Sequence, residues 1–304
     1  MFSFFKRKTT ERNTAIYKEK MKQTGFIVGT GRCGTTILAS VLNAHSRICI
    51  PHELQIIVIR GLYEKYCSGE AQKFAADDFI RFIRERCPYH FEKYFDYISH
   101  FRSLSYPQKD LRTLLTELFD HICYAAGKDV FLEQYPANGQ KLDILQDLFP
   151  DMKVIHMIRD GRDVAISYAR TPWWSKDIMA NLDRWEKRIN VVHAFCREHP
   201  ENCIELKYED LVVQPQAALI KILRLFKLEY EENMLDPKML FDYLTLAKGD
   251  ALAVQSNQFL QWGQEKRSVF FPGSIYGWKQ KQDVNFAVLP EKVKETLKLF
   301  DYET

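Results

Sequence analysis

The most constraining stretch of the chain is residues 26–36, FIVGTGRCGTT. Phe26-Ile27-Val28 is a short apolar run, as a buried strand would be, and it enters a glycine-rich turn. Thr36 to Asn43 then places Ile37, Leu38, Val41 and Leu42 on one apolar helical face. Strand, glycine turn and helix in this order can aim backbone N–H groups and a helix N-terminus at an anion. The alternative is a plain glycine turn with a surface arginine.

Gly29 to Thr36 has the frame of a P-loop, with two glycines five apart and a hydroxyl residue at the helix start. The nucleotide-triphosphatase form G-x-x-x-x-G-K-[ST] requires lysine where this chain has Thr35. That lysine reaches the β- and γ-phosphates, and the hydroxyl helps to hold magnesium. Here the cation sits inside the loop as Arg32, and no clear acidic magnesium site stands elsewhere, so no metal is expected.

Downstream, Val130-Phe131-Leu132, Lys153–Ile158 and Cys203–Lys207 read as strands. Asp163–Arg170, Ala217–Phe226 and a segment from Pro290 to about Phe300 read as helices. Alternating strands and helices imply a parallel sheet flanked by helices, a P-loop NTPase-like α/β fold. Residues 54–126 read as a helical insertion, the expected cap over an acceptor. Residues 1–22 read as a flexible arm, and 23–304 as one domain.

A second anion element follows Lys153–Ile158. Arg159 stands at the carboxyl end of a parallel strand, where α/β folds bind ligands. Ser167 lies eight residues on, about two turns into the next helix. A fork of guanidinium donors and a hydroxyl can meet one phosphate there. The alternative pairs Arg159 and Arg162 with Asp160 and Asp163 on a surface turn.

These residues resemble the sulfotransferases that use 3′-phosphoadenosine-5′-phosphosulfate (PAPS). Gly31-Arg32-Cys33-Gly34-Thr35-Thr36 is similar to their 5′-phosphosulfate loop, with Gly31 replacing a proline and Cys33 a serine. Arg159 and Ser167 match the pair that holds the 3′-phosphate. The sequence Arg159-Asp160-Gly161-Arg162 resembles the branch that includes tyrosyl-protein and many bacterial members. Tyr208-Glu209-Asp210-Leu211 and Gly277-Trp278-Lys279 extend the likeness, which spans roughly residues 24–285. Tyr208 is then a candidate for packing beside adenine, with core packing as the alternative. Lys279 and Arg267 are weaker candidates for the 3′-phosphate, against plain solvated cations.

Ala44 to Glu53 (AHSRICIPHE) resembles the family segment that ends in an acid near the transferring sulfur. The resemblance implies Glu53 as the base that takes the acceptor's proton, and adjacent His52 is the second candidate. The ordinary alternative for Glu53 is an acid beside a helix dipole. The tyrosyl-protein branch carries a lysine where Leu132-Glu133-Gln134-Tyr135-Pro136 has Gln134, which donates a hydrogen bond but brings no charge.

The resemblance implies sulfonate transfer from PAPS to a hydroxyl-bearing acceptor (carbohydrate, lipid, small molecule or peptide), releasing adenosine 3′,5′-bisphosphate. The alternatives are a P-loop kinase using ATP and a non-catalytic nucleotide-binding protein of the same fold. With 43 basic and 40 acidic residues, the charge is too balanced for a nucleic-acid binder. The seven cysteines include no C-x-x-C pair, a poor fit to a zinc site or a disulfide framework. Reduced cysteines, no long apolar run and no signal-peptide core make a cytoplasmic protein without a transmembrane segment the expectation.

Overall fold

The structure, a computed structural model, describes residues 21–51, 53–54, 81, 110–240, 270, 273, 275–281 and 284–304. The expected arm lies outside these residues apart from its last two positions. The same holds for most of the expected insertion, for His52 and for Arg267.

Five parallel strands form one sheet: β1 (Gln23–Gly29), β2 (Ile48–Cys49), β3 (Val130–Gln134), β4 (Lys153–Ile158) and β5 (Cys203–Lys207). Their spatial order is β2-β3-β1-β4-β5. β1 is therefore central, and the chain's path splits to either side of it. Such a switch point opens a crevice at the carboxyl ends of the strands. The expected helices appear as α1 (Thr35–Asn43), α4 (Gly161–Ala169), α7 (Pro215–Leu225) and α8 (Glu291–Leu299). α2 (Leu111–Ala126), α3 (Leu142–Leu148), α5 (Ile178–Glu198) and α6 (Tyr208–Val213) complete the described set.

Alternation along β1 divides the core. Phe26 and Val28 join the cluster under α2, α3 and α5, whereas Ile27 joins the cluster under α1, α6 and α7. All three are fully buried, as a parallel sheet covered on both faces requires. A third cluster packs α4, α5 and α8 around Trp185 and Tyr168. It holds α4, which follows the second anion element, against the longest described helix.

Several boundaries differ from the sequence reading for identifiable reasons. α4 begins two residues early because the Asp160 carboxylate accepts the Arg162 backbone N–H at 2.9 Å, an N-cap. β3 runs on through Glu133 and Gln134, both fully buried polar residues that an apolar-run criterion passes over. α5 is not evident in the sequence pattern. Its buried stripe of Leu182, Trp185, Ile189, Val192 and Cys196 has helical spacing, but it is narrow and set among charged residues. At its start, Asp177 accepts from the Met179 and Ala180 N–H groups.

Candidate active site

The residues after four strand ends converge. Register pairs Ile27 with Gln134, Gly29 with Met157, and Ile158 with Lys207. The loop after β1, the end of β3, Arg159 after β4 and Tyr208 after β5 therefore lie along one edge of the sheet.

The loop is sharply curled. Gly31, Arg32 and Gly34 have φ of 85°, 57° and 92°, so an ordinary residue, Arg32, is held in the left-handed region. The Gly34 position is doubly constrained, because a Cβ there would stand 2.3 Å from Cδ2 of Tyr208. The Tyr208 ring is buried against the loop and under Arg159, whose guanidinium carbon lies 4.6 Å from the ring centroid. No side chain caps the start of α1, so its first amides remain an anion-attracting end.

The two anion elements meet. Arg32 Nε donates to Ser167 Oγ at 3.0 Å, and Arg159 Nη1 donates to the Arg32 carbonyl at 3.0 Å. Ser167, expected beside Arg159, is thus the side chain joining the loop to α4. Its hydroxyl accepts one bond from Arg32 and keeps its own hydrogen to donate. Burial, and next the neighbouring charge of Arg159, pulls the Arg32 guanidinium below its ordinary range. Two half-buried cations side by side make a strong field for an anion.

The neighbouring Arg162 behaves differently. It forks onto Asp160 at 2.9 and 2.7 Å, with both side chains buried, and stacks 3.6 Å above the Trp278 ring. The expected acid pairings therefore exist, Arg159 standing 3.9 Å from Asp163, but the turn is buried rather than on the surface. Trp278 completes it, donating from Nε1 to Asp160 at 3.0 Å and from its backbone N–H to Asp163 at 2.8 Å. Gly161 is required beneath this turn, because a Cβ there would lie 2.5 Å from the Trp185 ring. Lys279 is half-exposed, and its ammonium pairs with Glu303.

On the other side of the loop, Gln134 Nε2 lies 3.3 Å from Thr35 Oγ1 and 3.5 Å from Glu53 Oε1. The amide is buried and spans the loop hydroxyl and the candidate base. Cys33 is fully buried, and burial pushes its thiol up despite opposing contacts from Gly31 and Thr30. It is a packed core thiol rather than a nucleophile. Thr36 is half-exposed in the first turn of α1.

Sequence reasoning missed two loop supports. The Tyr168 hydroxyl donates to the Thr30 carbonyl, and Arg188 Nη1 donates to the same oxygen at 3.3 Å. Tyr168 directly follows Ser167, which was a usable signal. Arg188 lies on the unread α5 and had none.

The sheet order and the curled loop, with no side chain capping the start of α1, define a P-loop-type α/β protein in which Thr35 stands at the nucleotide-triphosphatase lysine position and the cation is Arg32 inside the loop. Residues 26–232 match the sulfotransferase family, and the chain belongs to it. It is 24% identical over 222 residues to a putative protein-tyrosine sulfotransferase of Caenorhabditis briggsae, covering 69% of this chain and 67% of that one. It is 23% identical over 216 residues to protein-tyrosine sulfotransferase 1 of Danio rerio, covering 69% of this chain and 54% of that one. The chain thus spans between half and two thirds of these relatives. The fold is similar to the sulfotransferase domain of the Synechococcus PCC 7002 olefin synthase (TM-score 0.66, 17% identity, 97% of this chain and 100% of that one). It is also similar to the sulfotransferase domain of the curacin biosynthetic pathway (TM-score 0.64, 18% identity, 94% and 99%). Among the described residues no helix is long and apolar enough to cross a membrane.

Proposed function

We propose that the chain moves the sulfonate of PAPS to an acceptor hydroxyl and releases adenosine 3′,5′-bisphosphate. The observation that carries this reading is the contact of Arg32 with Ser167 and Arg159, while Gln134 spans Thr35 and Glu53 on the opposite side of the loop. Arg32 and Arg159 supply cations on one side of the loop, and Glu53 supplies a carboxylate on the other.

Gly31, Arg32, Cys33, Gly34, Thr35 and Thr36 would hold the 5′-phosphosulfate, chiefly through loop amides and Arg32. Arg159 and Ser167 would hold the 3′-phosphate, with Tyr208 bracing Arg159 from below. Lys279, engaged with Glu303, would reach the nucleotide only by leaving that pair. In the transfer the acceptor oxygen bonds to sulfur, the bond from sulfur to the bridging phosphate oxygen breaks, and Glu53 takes the hydroxyl proton. The negative charge left on the phosphate is met by Arg32 and the α1 amides, a preorganised field of the kind that dominates group transfer. Gln134 lacks the charge of a lysine, so its role is to orient Glu53 and the loop hydroxyl. His52, outside the described residues, is the second candidate for the base.

The experiment is calorimetry with adenosine 3′,5′-bisphosphate under chelator, against ATP with magnesium, joined to mass-detected sulfonate transfer. The panel holds a tyrosine peptide, a sugar, a lipid alcohol and a phenol. Tight metal-independent binding with transfer to one acceptor class is expected. Tighter, magnesium-dependent ATP binding would move the reading to a kinase. Binding of the bisphosphate with no transfer to any class would leave a nucleotide-binding protein.

A further inference from the structure

A second group of reactive side chains lies on the sheet face under α5, running from the middle of β4 and β5 to the start of β5. β4 and β5 set His156 beside Glu205 in register. Cys203 lies two residues before Glu205, so both point to one face. α5 crosses above them with His193 and Cys196, three residues apart and on one side of the helix.

The contacts are close. His156 Nδ1 lies 2.8 Å from Glu205 Oε1, and His193 Nδ1 lies 2.9 Å from Oε2. An ionised carboxylate only accepts, so each imidazole presents its Nδ1–H. Glu205 lies on the Nδ1 side of the His156 ring, so Nδ1 is the nitrogen that can share an ion with it, and the ring proton would then pass to Nε2, which is fully buried. One ligand atom each from His156, Cys196 and Glu205 lie within 4.8 Å of one another. Cys203 lies beside Cys196 on the same cleft. A cleft of about 460 Å³, lined by Cys196, Arg197, Pro200, Cys203, Ile204 and Glu205, leads in from solvent.

We propose that Cys196, His156 and Glu205 form a site for a single divalent cation of the zinc class, with its fourth position open to the cleft. One sulfur, one imidazole and one carboxylate suit zinc, whereas magnesium and calcium take oxygen ligands. Tetrahedral zinc bonds of about 2.0–2.3 Å place ligand atoms roughly 3.3–3.6 Å apart, so His156 and Glu205, now 2.8 Å apart, open by about half an ångström while Cys196 closes in from within 4.8 Å. His193, bonded to Glu205, acts as a positioning residue of the kind that orients metal ligands. Uptake releases the Cys196 proton, because the thiol must become a thiolate to bind. The spacing rules of the sequence could not show this site, since its ligands come from β4, α5 and β5.

The test uses the full untagged chain, reduced with a phosphine and stripped with chelator, titrated with cobalt(II) and then zinc against a chromophoric competitor. One equivalent of cobalt is expected, with a thiolate-to-metal charge-transfer absorption that zinc abolishes. Cys196→Ser should remove that absorption and weaken zinc by more than about 100-fold, and His193→Gln should cost ~10–100-fold. Cys123→Ser, outside the cluster, should change neither. Because Cys196→Ser can impair folding, alkylation of the wild-type chain is mapped by mass spectrometry with and without zinc. Slower labelling of Cys196 in zinc supports the site. Absence of the thiolate absorption in the wild type, its survival in folded Cys196→Ser, or equal labelling of Cys196 overturns it.

Discussion

Arg159 and Arg162 share one short motif but stand in different energetic positions. Arg162 is buried and matched by Asp160 and Trp278; Arg159 rests on Tyr208 at the mouth of the crevice beside Arg32. We therefore predict opposite signatures. Arg162→Ala strands a buried carboxylate and should lower unfolding stability by about 3–5 kcal/mol. Arg159→Ala should weaken adenosine 3′,5′-bisphosphate by about 1.5–3 kcal/mol, the usual value for hydrogen bonds to charged groups. It should change adenosine 5′-phosphate little, and Ser167→Ala should show the same pattern more weakly. Calorimetry and urea unfolding on each variant separate the two roles, and equal losses for both nucleotides would deny Arg159 a 3′-phosphate role. Glu53 belongs to the same scale. An acceptor hydroxyl attacks poorly while it keeps its proton, so a positioned base contributes typically ~10²–10⁴-fold in rate. Glu53→Gln keeps the contact with Gln134 and removes the basicity. Single-turnover transfer from prebound PAPS should fall by about that factor while nucleotide affinity holds. Near-wild-type transfer would move the base to His52.

The phosphate loop works only as an element, because its shape depends on what lies beneath it. Gly34 combines a φ of 92° with a space already filled by the Tyr208 ring. Gly34→Ala should cost about 1–3 kcal/mol for the backbone alone, with a further steric cost from the ring. In a Tyr208→Ala background the steric part is relieved, so the same substitution should cost less. Urea unfolding of the four proteins measures that coupling, and an equal cost in both backgrounds would contradict the packing account. Legibility in the sequence also divides by element. Lys153–Ile158 and Cys203–Lys207 were read to the residue because each is a strand bounded by turn or polar segments. α5 escaped because its apolar stripe is narrow and stands among charges. The loop and the arginines after β4 were legible because their spacing is local in sequence. The partnership of Ser167 with Arg32 was not, since 135 positions separate them. Nor was the burial of Glu133 and Gln134, which depends on partners such as Asn138 and Glu53 that only the fold brings close.

Across the whole molecule, the turn behind Arg159 is backed by buried acids that the C-terminal segment closes over. Glu209 after β5 accepts the Asp160 N–H at 3.1 Å and the Tyr302 hydroxyl at 2.8 Å, so the C-terminal segment seals the turn behind Arg159. Burial pushes the Glu209 carboxyl above its ordinary value of 4.5, and the hydrogen bonds from Asp160 and Tyr302 offset this only in part. Asp163 is raised for the same first reason, whereas burial lowers His156. The signs differ. A raised carboxyl makes the native state bind more protons than the unfolded chain, so its contribution to stability falls as pH rises from 4.5 through the folded value. A lowered imidazole gives the opposite slope, with stability growing as pH rises towards 6.5. The two trends overlap in a simple pH titration, and one variant separates them. Glu209→Gln keeps a carbonyl for the Asp160 N–H and leaves Tyr302 an amide to meet, but removes the titration. The wild type should therefore lose stability relative to Glu209→Gln as pH rises from 4 to 7, by at most about 1.4 kcal/mol per unit of raised pKa. Urea unfolding of both proteins across that range reads the difference directly, because contributions from Asp163 and His156 cancel between them. A difference that stays constant, or that moves in favour of the wild type with rising pH, would show that the buried carboxylate is fully accommodated as an anion behind the site.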